Sequence, residues 1–216
     1  MHVPSSWPYD LTRHEDTIHN ARKQKVRCDL FDLKLAQMAK PPGDTESGIE
    51  GIKLYLESCL EAQKNPENHD WMTTILPHLT VISHSAGPPH PRIVFRFTVQ
   101  PVHCNGLGNL HGGCAATVFD LCTSLPLGLV SRPGFWQFMG VSRTLSVTYL
   151  RPVPAGATVD VECELLQVGR RLCTARGVMR LVAGESAGEG EEGKDRPVLA
   201  ICEHGKVNTD PAAEKL

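Results

Sequence analysis

Hydrophobic positions along the chain fall into two regimes. Around residues 49–63 the apolar side chains Ile52, Leu56, Cys59 and Leu60 recur at helical spacing, and Asn65-Pro66 ends the run, so a helix is expected there. From residue 78 the period shortens to two. Residues 78–84 read as a strand, Gly87-Pro88-Pro89-His90-Pro91 as a turn, and residues 92–99 as an alternating strand that completes a hairpin. Residues 105–120, NGLGNLHGGCAATVFD, interrupt this β pattern once. Ala115, Ala116, Val118, Phe119, Leu121 and Cys122 make the second half of that stretch apolar almost all round, which predicts a buried helix reaching to about Ser131-Arg132-Pro133-Gly134. Strand patterns alone follow, at 137–150, 158–168, 172–182 and 198–207. The first 48 residues are polar and mixed, with one amphipathic stretch at 29–39 carrying Leu30, Leu33 and Met38, and a break at Pro41-Pro42-Gly43.

The order is strand, strand, buried helix, four antiparallel strands. A single helix apolar on every side fits inside a curved antiparallel sheet that wraps it. The fold class expected is therefore α+β, a hotdog fold of about six strands around one central helix, with an N-terminal helical extension. Residues 49–208 form that domain, 1–48 an arm that is partly disordered or helical, 184–197 a mobile acidic loop and 209–216 a tail. Six strands and one helix leave a sheet edge and a helix flank open, a geometry that closes by pairing with a second copy.

Composition removes several function classes. A formal net charge of -2 without a dense Lys/Arg stripe argues against nucleic-acid binding. No apolar run suggests a membrane span of ~18 residues, and the N-terminus lacks a signal pattern. The eight cysteines contain no CxxC pair and sit mostly in apolar segments, which reads as reduced, buried thiols and a cytoplasmic location. The C-terminal Glu-Lys-Leu resembles a peroxisomal address but opens on Glu rather than a small residue. His103, Cys104 and His111 lack a usual zinc-ligand spacing, so no metal is expected.

One residue breaks the hydrophobic logic. Asp120 sits two turns inside the apolar helix, where an unpaired carboxylate costs several kcal/mol. Asn105, Gly108, Leu110-His111-Gly112-Gly113 and Asp120, with Gly140-Val141-Ser142 and Val147-Thr148-Tyr149-Leu150-Arg151-Pro152 further on, resemble the signature of PaaI-type hotdog thioesterases over roughly residues 79–206. The resemblance implies hydrolysis of acyl-CoA to a free acid and CoA, with no prosthetic group.

The residues can be read against that chemistry. Thioester cleavage passes through an oxyanion that needs donors on one side and a base or nucleophile on the other. A helix start offers free N–H groups, so the Gly112 N–H is the candidate oxyanion donor, Asn105 a second polar contact, and His111 the residue that shapes the turn. Asp120 is the candidate base or nucleophile. Eight residues separate it from Gly112, about 12 Å along a straight helix, too far for both to touch one carbonyl. The spacing therefore predicts a homodimer in which an antiparallel pair of helices builds two composite sites. The resemblance implies the same division, with Asp120 and Ser142 from one subunit, Asn105 and Gly112 from the other, and Ser142 positioning the attacking water. It also implies a dimer of dimers, and places turn residues such as Arg151, Gly169 and Arg170 near the CoA nucleotide, whose phosphates favour Arg and backbone N–H groups.

Each position also has a structural reading: a capped carboxylate at Asp120, a satisfied strand hydroxyl at Ser142, a turn residue at Asn105, a turn-shaping ring at His111. Phe135-Trp136 and Phe138 either line an acyl pocket or pack. The rival functions are a thioesterase for carrier-protein-bound acyl or polyketide chains and a silent acyl-binding module.

Overall fold

The computed structural model describes residues 45–87, 90–182 and 196–211. The expected helix at 29–39, nearly all of the arm, residues 183–195 of the acidic loop and residues 212–216 lie outside that range.

Helix α1 (Thr45–Ala62) starts four residues before the expected run and buries Ile49, Ile52, Tyr55 and Leu56. Strands β1 (Leu79–Ser85) and β2 (Arg92–Thr98) pair antiparallel, with a bulge between Val81 and Ser83. Helix α2 (Gly112–Ser124) follows and is shorter than the pattern predicts. Pro126 has no N–H to continue the α ladder, so the chain tightens into the 3-10 turn Leu125–Leu129, whose residues are all buried. Strands β3 (Val141–Tyr149), β4 (Thr158–Val168), β5 (Leu172–Leu181) and β6 (Val198–Val207) complete one antiparallel sheet in the order β1-β2-β4-β5-β6-β3.

Strand β3 begins later than expected because residues 136–140 leave the extended conformation. Trp136 and Met139 take positive φ of 55° and 56°. The Trp136 ring is fully buried and its Nε1 donates to the Gly169 carbonyl at 2.7 Å. Of the two readings of this aromatic segment, Trp136 packs.

The sheet's inner face is the core. Ile93, Phe95 and Phe97 of β2, Val159, Val161 and Cys163 of β4, Ala175 and Met179 of β5 and Cys202 of β6 are buried in one cluster with Val118, Phe119 and Cys122 of α2. Each such aliphatic or aromatic side chain contributes about 1.5–3 kcal/mol of burial. The helix approaches the sheet most closely at Gly177, where an added Cβ would lie 2.7 Å from the Phe119 ring. A side chain there would push α2 away from the sheet and displace the residues it carries. On the outer face Asp160 is held between Arg96 (2.9 Å) and Arg196 (2.5 Å), and Glu162 between Arg196 (2.7 Å) and Arg180 (3.4 Å). This polarity puts the apolar side of the sheet on α2 and the charged side toward water.

Residues Gly112–Leu129 amount to 18 residues of mean hydropathy 1.2, an apolar run longer than the sequence pattern suggests. The stretch is the wrapped core element of the sheet rather than one continuous α-helix, since it divides into α2 and the 3-10 turn.

Candidate active site

The entry to α2 is built by three local interactions. His111 is the N-cap: its Nδ1 accepts the Gly113 N–H at 3.0 Å, and its own N–H donates to the His103 carbonyl at 2.9 Å. Tyr149, on β3, donates its hydroxyl to the Gly112 carbonyl at 2.7 Å. The peptide between Gly112 and Gly113 is thus pinned at both ends. The preceding N–H, that of Gly112, has no partner among the described residues. It is an available donor at the positive end of a helix, with no side chain to obstruct a carbonyl.

Asn105 opens the loop ahead of this corner. Its Oδ1 accepts the N–H groups of Leu107 (2.9 Å) and Asn109 (3.3 Å), which fixes the amide plane. The Nδ2 group has no partner among the described residues and is a second available donor. Asn105 is therefore a turn residue and a potential ligand at once, because the two ends of its amide do different things.

Asp120 lies on α2, its side chain about half exposed, at 46%. The Ser142 hydroxyl donates to Oδ1 at 2.6 Å, across from the start of β3. Asp120 and Ser142 are thus joined within one chain. Behind Oδ1 stands His204, whose side chain is fully buried. Its Nε2 is 3.3 Å from Oδ1 but out of line for a hydrogen bond, so the ring stands against the carboxylate without donating to it. Its Nδ1 is 2.7 Å from the Thr123 hydroxyl, which donates to the Phe119 carbonyl at 2.6 Å. Lys206, also buried, donates to Ser124 Oγ at 2.7 Å, and Ser124 donates to the Asp120 carbonyl at 2.7 Å.

The sequence reading missed His204 and Lys206, and it named Tyr149 within the second matching stretch without a contact for it. A signal existed: the period of two in β6 places Cys202, His204 and Lys206 on one inward face, and two titratable groups on a buried face call for a partner. Lys206 finds its partner in Ser124, and His204 Nε2 stands against Asp120.

Burial lowers the His204 pKa to about 4, with Lys206 adding to the shift and Asp120 opposing it. The ring is neutral at neutral pH. Burial also lowers the Lys206 pKa, with Asp120 again opposing. The depressed histidine makes a prediction. The unfolded chain takes up this proton near pH 6.5 and the folded one only near 4, so the stability from neutral His204 is complete above about pH 6.5 and is lost as pH falls toward 4. Urea unfolding of the wild type and of His204→Gln across that range checks this. The gap in stability between them should narrow as pH falls.

The cysteines offer no competing nucleophile here. Burial pushes the thiol of Cys114, two residues into α2, up to about 11, and that of Cys202 up to about 12. Among the described residues no three His, Cys, Asp or Glu side chains group as metal ligands.

Of the residues expected near a nucleotide, Arg151 follows the end of β3 opposite Ser142, whereas Gly169 and Arg170 turn at the end of the sheet where Leu172 and Val141 both pair with Val207. Arg151 is exposed just past β3 and donates to the Val198 carbonyl at 2.6 Å. The Gly169 N–H closes the β4–β5 hairpin on the Leu172 carbonyl at 2.8 Å, so that donor is occupied. Arg170 is exposed, and its carbonyl accepts from Asn208 at 3.2 Å.

With this geometry in hand, the chain can be compared with known proteins. The family model "Thioesterase superfamily" matches residues 107–185. Human acyl-coenzyme A thioesterase 13 is 26% identical over 117 residues, 54% of this chain and 76% of that protein. Among solved structures, mouse thioesterase superfamily member 2 superposes with a TM-score of 0.52 at 21% identity, covering 73% of this chain and 95% of the other. The PaaI protein of E. coli does so with a TM-score of 0.50 at 15% identity, covering 73% and 92%. At these identities the structural matches establish the hotdog fold.

Proposed function

The chain belongs to the PaaI-like hotdog thioesterases and is a thioester hydrolase, and from that premise we propose that its substrate is an acyl-CoA, cleaved at a site shared between two subunits. The observation that carries the reading is the pairing of an unused donor with a poised carboxylate on one helix. The Gly112 N–H is free, Asp120 Oδ1 is anchored by Ser142, and the two residues stand eight positions apart. About 12 Å of helix separates them, so one carbonyl meets both only when a second copy lies antiparallel.

Strand β3 supports that pairing. It is an edge strand, exposed along nearly all its length, with Val141, Leu145 and Tyr149 open to solvent. An edge of this kind calls for a covering partner.

In the proposed reaction Gly112 and the Asn105 amide of one subunit polarise the thioester carbonyl. Asp120 of the other takes a proton from a water that Ser142 helps to orient, and the resulting hydroxide attacks the carbonyl carbon. The tetrahedral oxyanion collapses, the C–S bond breaks, and CoA leaves as a thiolate that is then protonated. No metal or prosthetic group enters this scheme. His204 faces the anchored oxygen of Asp120 and leaves Oδ2 as the oxygen that works.

Hydrolysis of short, aryl and long acyl-CoAs by the purified protein, followed by thiol release, tests the proposal. Turnover of at least one class with kcat/KM in the enzymatic range of about 10⁴ M⁻¹s⁻¹ or more is expected. Turnover confined to the same acyl groups on acyl carrier protein would replace the CoA substrate with a carrier-bound one. Inertness toward both would leave a binding module.

A further inference from the structure

Trp71 stands in the open, 75% exposed, and yet it is held in place. Its Nε1 donates to Thr117 Oγ1 at 2.7 Å, and that hydroxyl donates in turn to the Gly113 carbonyl at 2.9 Å. The turn that carries it is fixed from below. Asp70 Oδ1 accepts the Met72 N–H (2.8 Å) and the Gln63 amide (3.0 Å), and the Asp70 N–H donates to the Thr73 hydroxyl (2.8 Å). His103 Nε2 donates to the Thr74 carbonyl at 2.7 Å and joins this turn to the segment that leads into the Asn105 loop. A large indole left to water forfeits burial free energy, and ordering it there costs side-chain entropy as well.

Position explains what the ring is for. Gly113, Thr117, Asp120 and Ser124 share the outward flank of α2, at i, i+4, i+7 and i+11. Thr117 lies about midway between Gly112, the proposed oxyanion corner, and Asp120. The indole is tied through Thr117 to the Gly113 carbonyl, one residue from that corner. Two further exposed apolar side chains belong to the same corner: Val102 in the turn beside His103 (67%) and Leu107 in the Asn105 loop (86%). Exposed apolar side chains on the segments that frame an oxyanion donor suit the hydrocarbon part of a thioester.

We propose that Trp71 is the wall of the acyl pocket, packing against the acyl group and setting the chain length that the site accepts. This rests on the acyl-CoA reading above. The indole gives apolar contact to a chain that ends against it and excludes one that would run through its volume. Removing it opens that volume, with a selectivity change of the size pocket contacts give.

The test compares kcat/KM for short, medium and long straight-chain acyl-CoAs in the wild type, Trp71→Phe and Trp71→Ala, with size-exclusion chromatography of each. The Ala variant should shift the long-to-short ratio by about tenfold or more toward long chains, with Phe between and the oligomer unchanged. An unchanged ratio overturns the wall. So does a uniform loss on all chains accompanied by dissociation, which would make Trp71 a subunit contact. Calorimetry with non-hydrolysable acyl-CoA thioether analogues reads the same length preference without turnover. A wild type that binds these analogues with a Trp71-dependent length preference, but hydrolyses nothing, would sink the enzyme reading and keep the wall.

Discussion

Replacing Asp120 by asparagine is expected to lower kcat by about 10²–10⁴-fold, the contribution of a positioned general base, with little change in the thermal unfolding temperature. The substitution keeps the shape of the side chain and an oxygen to accept the Ser142 hydroxyl, now 2.6 Å from Oδ1. What it removes is the capacity to take a proton. Stability should survive because the carboxylate is half exposed and its buried neighbour, His204, is already neutral. A carboxylate retained only to cap the interior would give the opposite result: activity intact and a lower melting temperature. Thiol-release kinetics together with a thermal scan on the same preparation separate the two. Because the buried lysine hydrogen-bonds to Ser124 rather than to Asp120, the Asn variant strands no ion pair, and a loss of activity can be read as chemistry.

Much of this arrangement was legible in the chain because the relevant signals are local. The period of two marked the strands, and an all-apolar stretch after a glycine-rich loop marked the wrapped helix. A lone carboxylate within that stretch marked the candidate reactive residue. What escaped was set by distance along the chain. His204 meets Asp120 from 84 positions away, through a strand order, β5-β6-β3, that periodicity does not encode, and Ser142, 22 positions away, was paired with it only by the resemblance. Tyr149 stands in the second matching stretch, but only the fold aims its hydroxyl at the Gly112 carbonyl. Trp71 lies between the helix that ends at Asn65-Pro66 and the first strand, where no periodic signal marks it, because a turn's sequence says where the chain bends and not what stands beside it. The end of α2 was overshot for the opposite reason. The hydrophobic pattern continues through Leu125–Leu129, and Pro126 changes the backbone without changing the burial.

A second large effect should come from the other end of the helix. Gly112→Val is expected to cost about 10²–10³-fold in kcat, the loss seen when an oxyanion donor is removed. The mutant still has the N–H, but its Cβ would come within 3.3 Å of the Tyr149 ring and hydroxyl, and its methyl groups would stand where a carbonyl must approach. Taken alone this variant resembles Asp120→Asn, one more inactive protein. Mixed, the two are informative. If each site draws Gly112 from one chain and Asp120 from the other, a mixed dimer places both lesions in one site and leaves the second site wild type. Equal, random mixing makes half of all dimers mixed, each with one of two sites intact, so about a quarter of wild-type activity should return. Sites built within single chains would contain a lesion in every subunit, and mixing would restore nothing. Co-expression with two affinity tags, purification of the mixed species and a rate per dimer decide between these outcomes. Recovery to about half the wild-type rate in the purified mixed dimer is the result that a composite site requires, because the 12 Å between the two groups is a property of the helix itself and no movement of one chain can close it.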